Sequence, residues 1–166
     1  AYLDGHFLHD ITLFSQSLPA ASNSHGDQDA IILNQQAVWL ACCGLGTVPH
    51  GASHGIGYIL GAMCAIPHGY TSCVMLPAVL EWNVTVLGEK SYVIADAMGQ
   101  GSQDAHVAVK TLISDLGLPT SLRQLDVPQH LLQQVAERAY AHPIVGRNPR
   151  PIETVADVSA ILEIAW

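Results

Sequence analysis

The stretch GASHGIGYILGAMCAIPHGYTSCVMLPAVLEWN, residues 51–83, holds one acid, Glu81, and no lysine or arginine. A segment so poor in charge cannot lie along a solvated surface and has to be covered on more than one side. Within it stand His54 and His68, fourteen positions apart among glycines and apolar residues. The chain as a whole shares this character. Hydrophobic residues make up 49% and charged residues 12%, so helices buried on several faces, or a sizeable self-association surface, are expected. His, Gly, Pro or polar groups interrupt every apolar run before the roughly 20 residues that a membrane helix needs, so no membrane span is expected.

The 166 residues suit one domain, 1–166, with a real core. A net charge of −8, with six Lys plus Arg, leaves no basic footprint for nucleic acid. The opening AYLDGHFLHD lacks the basic start and apolar centre of a signal peptide. Cys42, Cys43, Cys64 and Cys73 form no CxxC pair. Adjacent Cys42 and Cys43 read as reduced core thiols, which favours an intracellular, cytoplasmic protein. The sequon Asn83-Val84-Thr85 would matter only in a secreted one.

Apolar spacing is helical almost throughout. Leu3, Phe7, Leu8, Ile11, Phe14 and Leu18 mark a first helix, with Pro19 as its end. Asp27 or Asp29 can cap a second, which stops at Gly44. Ser53 is a candidate N-cap for a third, from His54 to about Ala65. Pro67-His68-Gly69 breaks the chain before a fourth, from about Thr71 to Asn83. Helices over 91–98, 104–116, 128–139 and 154–165 complete the set. Only SCVMLPAVL and TVL carry strand character, and nothing alternates as βαβ. The fold class expected is all-α, a helical bundle. Gly55, Gly57 and Gly61 do not match GxGxxG, and neither GxSxG nor a P-loop is present.

A metal needs three or four converging ligands, commonly imidazoles and carboxylates. His54 falls in the first turn of its helix and His68 in the loop after it. They meet only if the chain packs back across that helix. Their alternative is a pair of core histidines bonded to backbone carbonyls. His50 could reach the same pocket or stand in a surface loop. Tyr58 lies one turn after His54 on the same face, placed either for proton exchange or for plain packing. His6 and Asp10 are i,i+4 neighbours with His9 beside them, a polar helix start that could also supply two ligands. His25, His106, His130 and His142 sit among polar residues and read as surface positions.

VPHGASHGIGYILGAMCAIPHGYTSCVMLPAVLEWN resembles the C-terminal half of the iron-containing alcohol dehydrogenases, in particular the branch of maleylacetate reductases and their fungal relatives. The family segment reads roughly G-x-x-H-x-x-x-H-x-L-G, then P-H-G, then L-P-x-V ending in Asn. LGLPTSLRQLDV and NPRPIETVADVSAILEIAW resemble its closing segments. The resemblance runs from about Ile11 to Trp166 and implies the family's all-helical C-terminal domain. It implies that two of the family's ligands for a divalent metal, iron or zinc, fall on His54 and His68. The other two, an Asp-x3-His pair, would lie upstream of residue 1. Tyr58 stands where the family has a further histidine, and His50 where close relatives have Met.

The expectation drawn from this is a stand-alone domain, without NAD(P) of its own, repurposed as a cofactor-independent enzyme. Its reaction would be a non-redox cyclisation, isomerisation or dehydration of a hydrophobic small molecule, in secondary metabolism. His54, His68, His50 and Tyr58 would act as acid/base or hydrogen-bonding groups. Two alternatives stand beside it. One is the metal-binding half of an NAD(P)-dependent iron-containing alcohol dehydrogenase or maleylacetate reductase. The other is a non-catalytic scaffold. A homo-oligomer, a dimer or larger, is expected from the apolar composition.

Overall fold

A computed structural model describes residues 2–23, 27–44 and 46–166. The chain forms helices α1 (Tyr2–Asn23), α2 (Gln28–Cys42), α3 (Ala52–Cys64), α4 (His68–Trp82), α5 (Val84–Leu87), α6 (Glu89–Ala97), α7 (Ala105–Asp115), α8 (Leu132–Tyr140) and α9 (Val155–Ala165). Single 3-10 turns lie at Arg123–Leu125, Gln129–Leu131 and Val145–Arg147. No β-strand occurs among the described residues, so the all-α expectation holds. SCVMLPAVL and TVL, the segments with strand character, are helical in α4 and α5.

The core gathers between α3, α4, α8 and α9. Ile56, Leu60, Met75, Val135, Ile161 and Leu162 are all fully buried there. Burying one such side chain stabilises by about 1.5–3 kcal/mol, and this group forms the centre of the domain. α4 sits at the crossing, packed against α3, α7 and α9. That explains its uniformly apolar sequence: Val74, Met75, Ala78 and Val79 face the core, while Cys73, Leu76 and Leu80 lie on another face.

Several local expectations are corrected. α1 continues through Pro19 to Asn23. The proline removes one helical N–H, and the helix persists because α1 packs on α2. α3 begins at Ala52 with Gly51 as its N-cap, so Ser53 lies inside the helix and makes no cap. α4 begins at His68, earlier than Thr71, because Pro67 presets the backbone for a helix start and its carbonyl accepts from Tyr70 and Thr71. His68 is therefore a helical residue rather than a loop one. Asp27 is the cap of α2, its carboxylate accepting from the Ala30 N–H at 3.1 Å. Cys42 and Cys43 are exposed and free at the end of α2, not core thiols. The cause is that α2 buries only Ala30 and Ala37 and leaves Ile31, Ile32, Val38 and Trp39 exposed. His25 lies outside the described residues. None of the described helices is long and apolar enough to cross a membrane.

The closing segment is tied down by buried amides and stacked cations. Asn83, at the end of α4, and Asn148, after the third 3-10 turn, are both buried and pair reciprocally. Asn83 Nδ2 donates to Asn148 Oδ1 at 3.2 Å and Asn148 Nδ2 donates to Asn83 Oδ1 at 2.6 Å. Arg150 stacks 3.7 Å over the Trp82 ring and donates to its carbonyl at 2.8 Å. An Asn83 engaged in this way is closed to modification at its sequon.

α9 starts on a capping box. Thr154 Oγ1 accepts from the Asp157 N–H at 3.3 Å and donates to the Asp157 carboxylate at 2.9 Å, which also accepts from the Thr154 N–H at 2.8 Å. The Thr154 hydroxyl, followed by the backbone donors, holds the Asp157 carboxyl below its usual 3.8. A depressed carboxylate contributes stability that is full above the unfolded value and lost as pH falls through the folded one. Thr154→Ala should cost about 0.5–2 kcal/mol at neutral pH. In urea denaturation the gap between variant and parent should narrow in strong acid.

Candidate functional site

The site is built where α3 and α4 start. The chain leaves α3 at Ala65, in the left-handed region at φ 54°, and turns through Ile66 and Pro67 into α4. α3 and α4 pack together, so the first turn of each lies at the same end of the pair. His54 and Tyr58 are one helical turn apart, with ring centroids 6.1 Å apart and edge-on. His68 reaches them from α4, its ring 5.7 Å from His54 and 5.4 Å from Tyr58, on which it stacks. His50, just before α3, stacks on His54 at 4.4 Å. All four residues picked from the sequence therefore share one place.

A fifth ring joins them. His142 is half-buried and lies 6.1 Å from Tyr58. Sequence reading placed it on the surface, and no local spacing links residues 54 and 142. What brings it in is the turn at Val145–Arg147 closing on a glycine. A Cβ on Gly55 would sit 2.5 Å from Val145 Cγ2, 3.2 Å from the Val145 nitrogen and 3.6 Å from His142 Nδ1. Only glycine at 55 allows this approach. The Ile144 N–H points at His142 Nδ1 over 3.4 Å, which in the neutral ring leaves Nε2 to carry the proton. The other positions behave differently. His106 is half-buried with its Nδ1 sealed from solvent, and His130 is exposed. Asp10 is buried in α1, where burial first of all pushes its carboxyl up, with His6 half-buried and His9 exposed beside it. These α1 residues do not join the ring cluster.

Burial pushes the His54 imidazole below its usual 6.5, and the neighbouring charges of His50 and His68 push the same way. His54 is neutral at neutral pH, with a lone pair to offer. His68 and Tyr58 are exposed, so the cluster opens to solvent on that side. Neutral imidazoles are the right kind of donor for iron or zinc. Among the described residues, however, no three His, Cys, Asp or Glu side chains converge to hold an ion. His54 and His68 fit as two donors of a set that the described residues do not complete.

The chain matches the family model described as Fe-containing alcohol dehydrogenase family, C-terminal, over residues 1–166. It is 32% identical over 150 residues to lactaldehyde reductase of Escherichia coli (strain K12), covering 85% of this chain and 39% of that protein. It is 34% identical over 128 residues to maleylacetate reductase 1 of Rhodococcus opacus, covering 77% of this chain and 34% of that protein. The crystal structure of maleylacetate reductase from Rhizobium sp. strain MTP-10005 superposes with a TM-score of 0.88 at 25% identity, covering 100% of this chain and 46% of that one. The chain thus spans less than half the length of these relatives.

In a histidine titration followed by NMR, His54 should titrate below 6.5. Removing the neighbouring charge with His50→Ala should move its midpoint upward. Because burial remains, that midpoint should still lie on the low side of 6.5.

Proposed function

The chain belongs to the Fe-containing alcohol dehydrogenase family as its C-terminal domain, and from that we propose that it carries the histidine half of a reductase or dehydrogenase site. The reacting group would be the carbonyl or alcohol of a small organic molecule. The observation that carries the reading is the pairing of His54 and His68, 5.7 Å apart on the first turns of two packed helices, with His54 held neutral. A divalent iron or zinc ion held by these two residues would supply polarisation of the substrate oxygen. The chain's own part is to present two imidazoles, with that of His54 held neutral by burial. His50 stacks on His54 and Tyr58 on His68, and these contacts limit the tilt of each ring. The names of the relatives, lactaldehyde reductase and maleylacetate reductase, favour carbonyl reduction.

A second reading is kept by one observation. Tyr58, where the resemblance expects histidine, stands between His68 and His142, so phenol and imidazole groups line one open face. Such a set suits proton transfer in a cofactor-independent cyclisation, isomerisation or dehydration of a hydrophobic molecule.

Titration of the purified chain with Co(II), followed by absorption and calorimetry, separates the two. The reductase reading predicts weak, saturable binding of one ion, lowered at least about tenfold by either His54→Ala or His68→Ala, a loss of the size that shell defects cause in metal sites. Absence of saturable binding, or binding indifferent to both substitutions, would overturn it and favour the acid/base reading.

A further inference from the structure

A cavity of about 460 Å³ lies on the face of α4 turned away from the core. α4 presents Cys73, Leu76 and Leu80 to it. Phe14 and Leu18 of α1 face them, and Met98, the C-cap of α6, and Leu112 of α7 close the sides. The gap exists because α1 packs on α2 and α6 while α4 packs on α7, which leaves α1 standing off from α4. Its size falls within the range of small-molecule sites, about 300–1,000 Å³.

The wall carries no charged side chain, and its polar side chains are Ser72 and Cys73. The Ser72 hydroxyl already donates to the His68 carbonyl at 3.0 Å. Burial pushes the Cys73 thiol up, so it stays neutral. Pro77, one turn on, takes from the Cys73 carbonyl its usual i+4 donor. The apolar surface does not stop at this cavity. A second one, of about 350 Å³, shares Ile11 and Ile94 with it and runs on along the α1–α6 seam to Asp4 and Lys90. Ile11 of α1 and Ile94 of α6 line both cavities, and only the second reaches charged side chains.

We propose that the larger cavity is a binding site, separate from the histidine cluster, for an uncharged, chiefly apolar molecule with a single hydroxyl end. The absence of charge on the wall of this cavity excludes ionic ligands, since burying an unpaired charge there is costly. The apolar lining likewise excludes polar metabolites, whose hydrogen-bonding groups would find few partners there.

The test uses the full chain and the uncharged fluorophore N-phenyl-1-naphthylamine, with dodecan-1-ol as competitor. One saturable site, displaced by dodecan-1-ol, is expected. Cys73→Phe fills the cavity and should weaken binding at least about tenfold, as overfilling a shaped apolar site does. Trp39→Ser, on the exposed face of α2, and His54→Ala should leave it unchanged. Should Cys73→Phe fail to fold by circular dichroism, alkylation of Cys73 in the parent chain, read by mass spectrometry, replaces it. Dodecan-1-ol should then slow alkylation of Cys73 and leave exposed Cys42 and Cys43 reacting as before. No saturable binding, no displacement, loss of binding in Trp39→Ser or His54→Ala, or Cys73 alkylation unaffected by dodecan-1-ol would each overturn the proposal.

Discussion

Three close approaches along α3, each at a glycine, hold the rest of the domain in place. A Cβ on Gly55 would strike Val145, one on Gly57 would press to 3.2 Å from Thr71 Oγ1, and one on Gly61 would come within 3.2 Å of the Ile66 carbonyl. The first contact brings the C-terminal turn in, the second seats α4 and the third tightens the exit from α3. Larger residues would force these elements apart, and packed interiors yield little before they lose stability. Because His54 and Tyr58 share a helix with these glycines, the contacts that close the core also set the distances between the imidazoles.

The opposite end of α4 is fixed by a different kind of interaction. Asn83 and Asn148 are buried, and each satisfies the other. Loss of either side chain would strand an amide out of reach of water, which is worse than having neither. Arg150 adds its stack on Trp82 and its bond to the Trp82 carbonyl. Asn148 follows the turn that presses on Gly55, so the amide pair and the glycine contact hold the same segment from two sides. His142 precedes that segment and is carried into the cluster with it.

Much of this was legible in the residues. Helical spacing located α6 to α9 closely, and the i,i+4 relation of His54 and Tyr58 appears unchanged in space. The resemblance placed His54 and His68 together, which spacing alone left open. What escaped was non-local. No pattern shows that the asparagine ending LPAVLEWN pairs with the one opening NPRP, or that Gly55 admits a turn ninety residues later in the chain. Pro19 reads locally as a stop and is overruled by tertiary packing of α1. Cys42 and Cys43 read as core because α2 is apolar, and only the arrangement of helices shows which of its faces is covered.

The approach of Val145 to Gly55, not any contact between the rings, carries His142 to Tyr58. The most direct measurement is of nuclear Overhauser contacts from the Tyr58 ring in the parent chain and in Gly55→Ala. The parent should show contacts to both His68 and His142. Gly55→Ala, which alters none of these rings, should keep the contact to His68 and lose the one to His142. Retention of both would contradict the account.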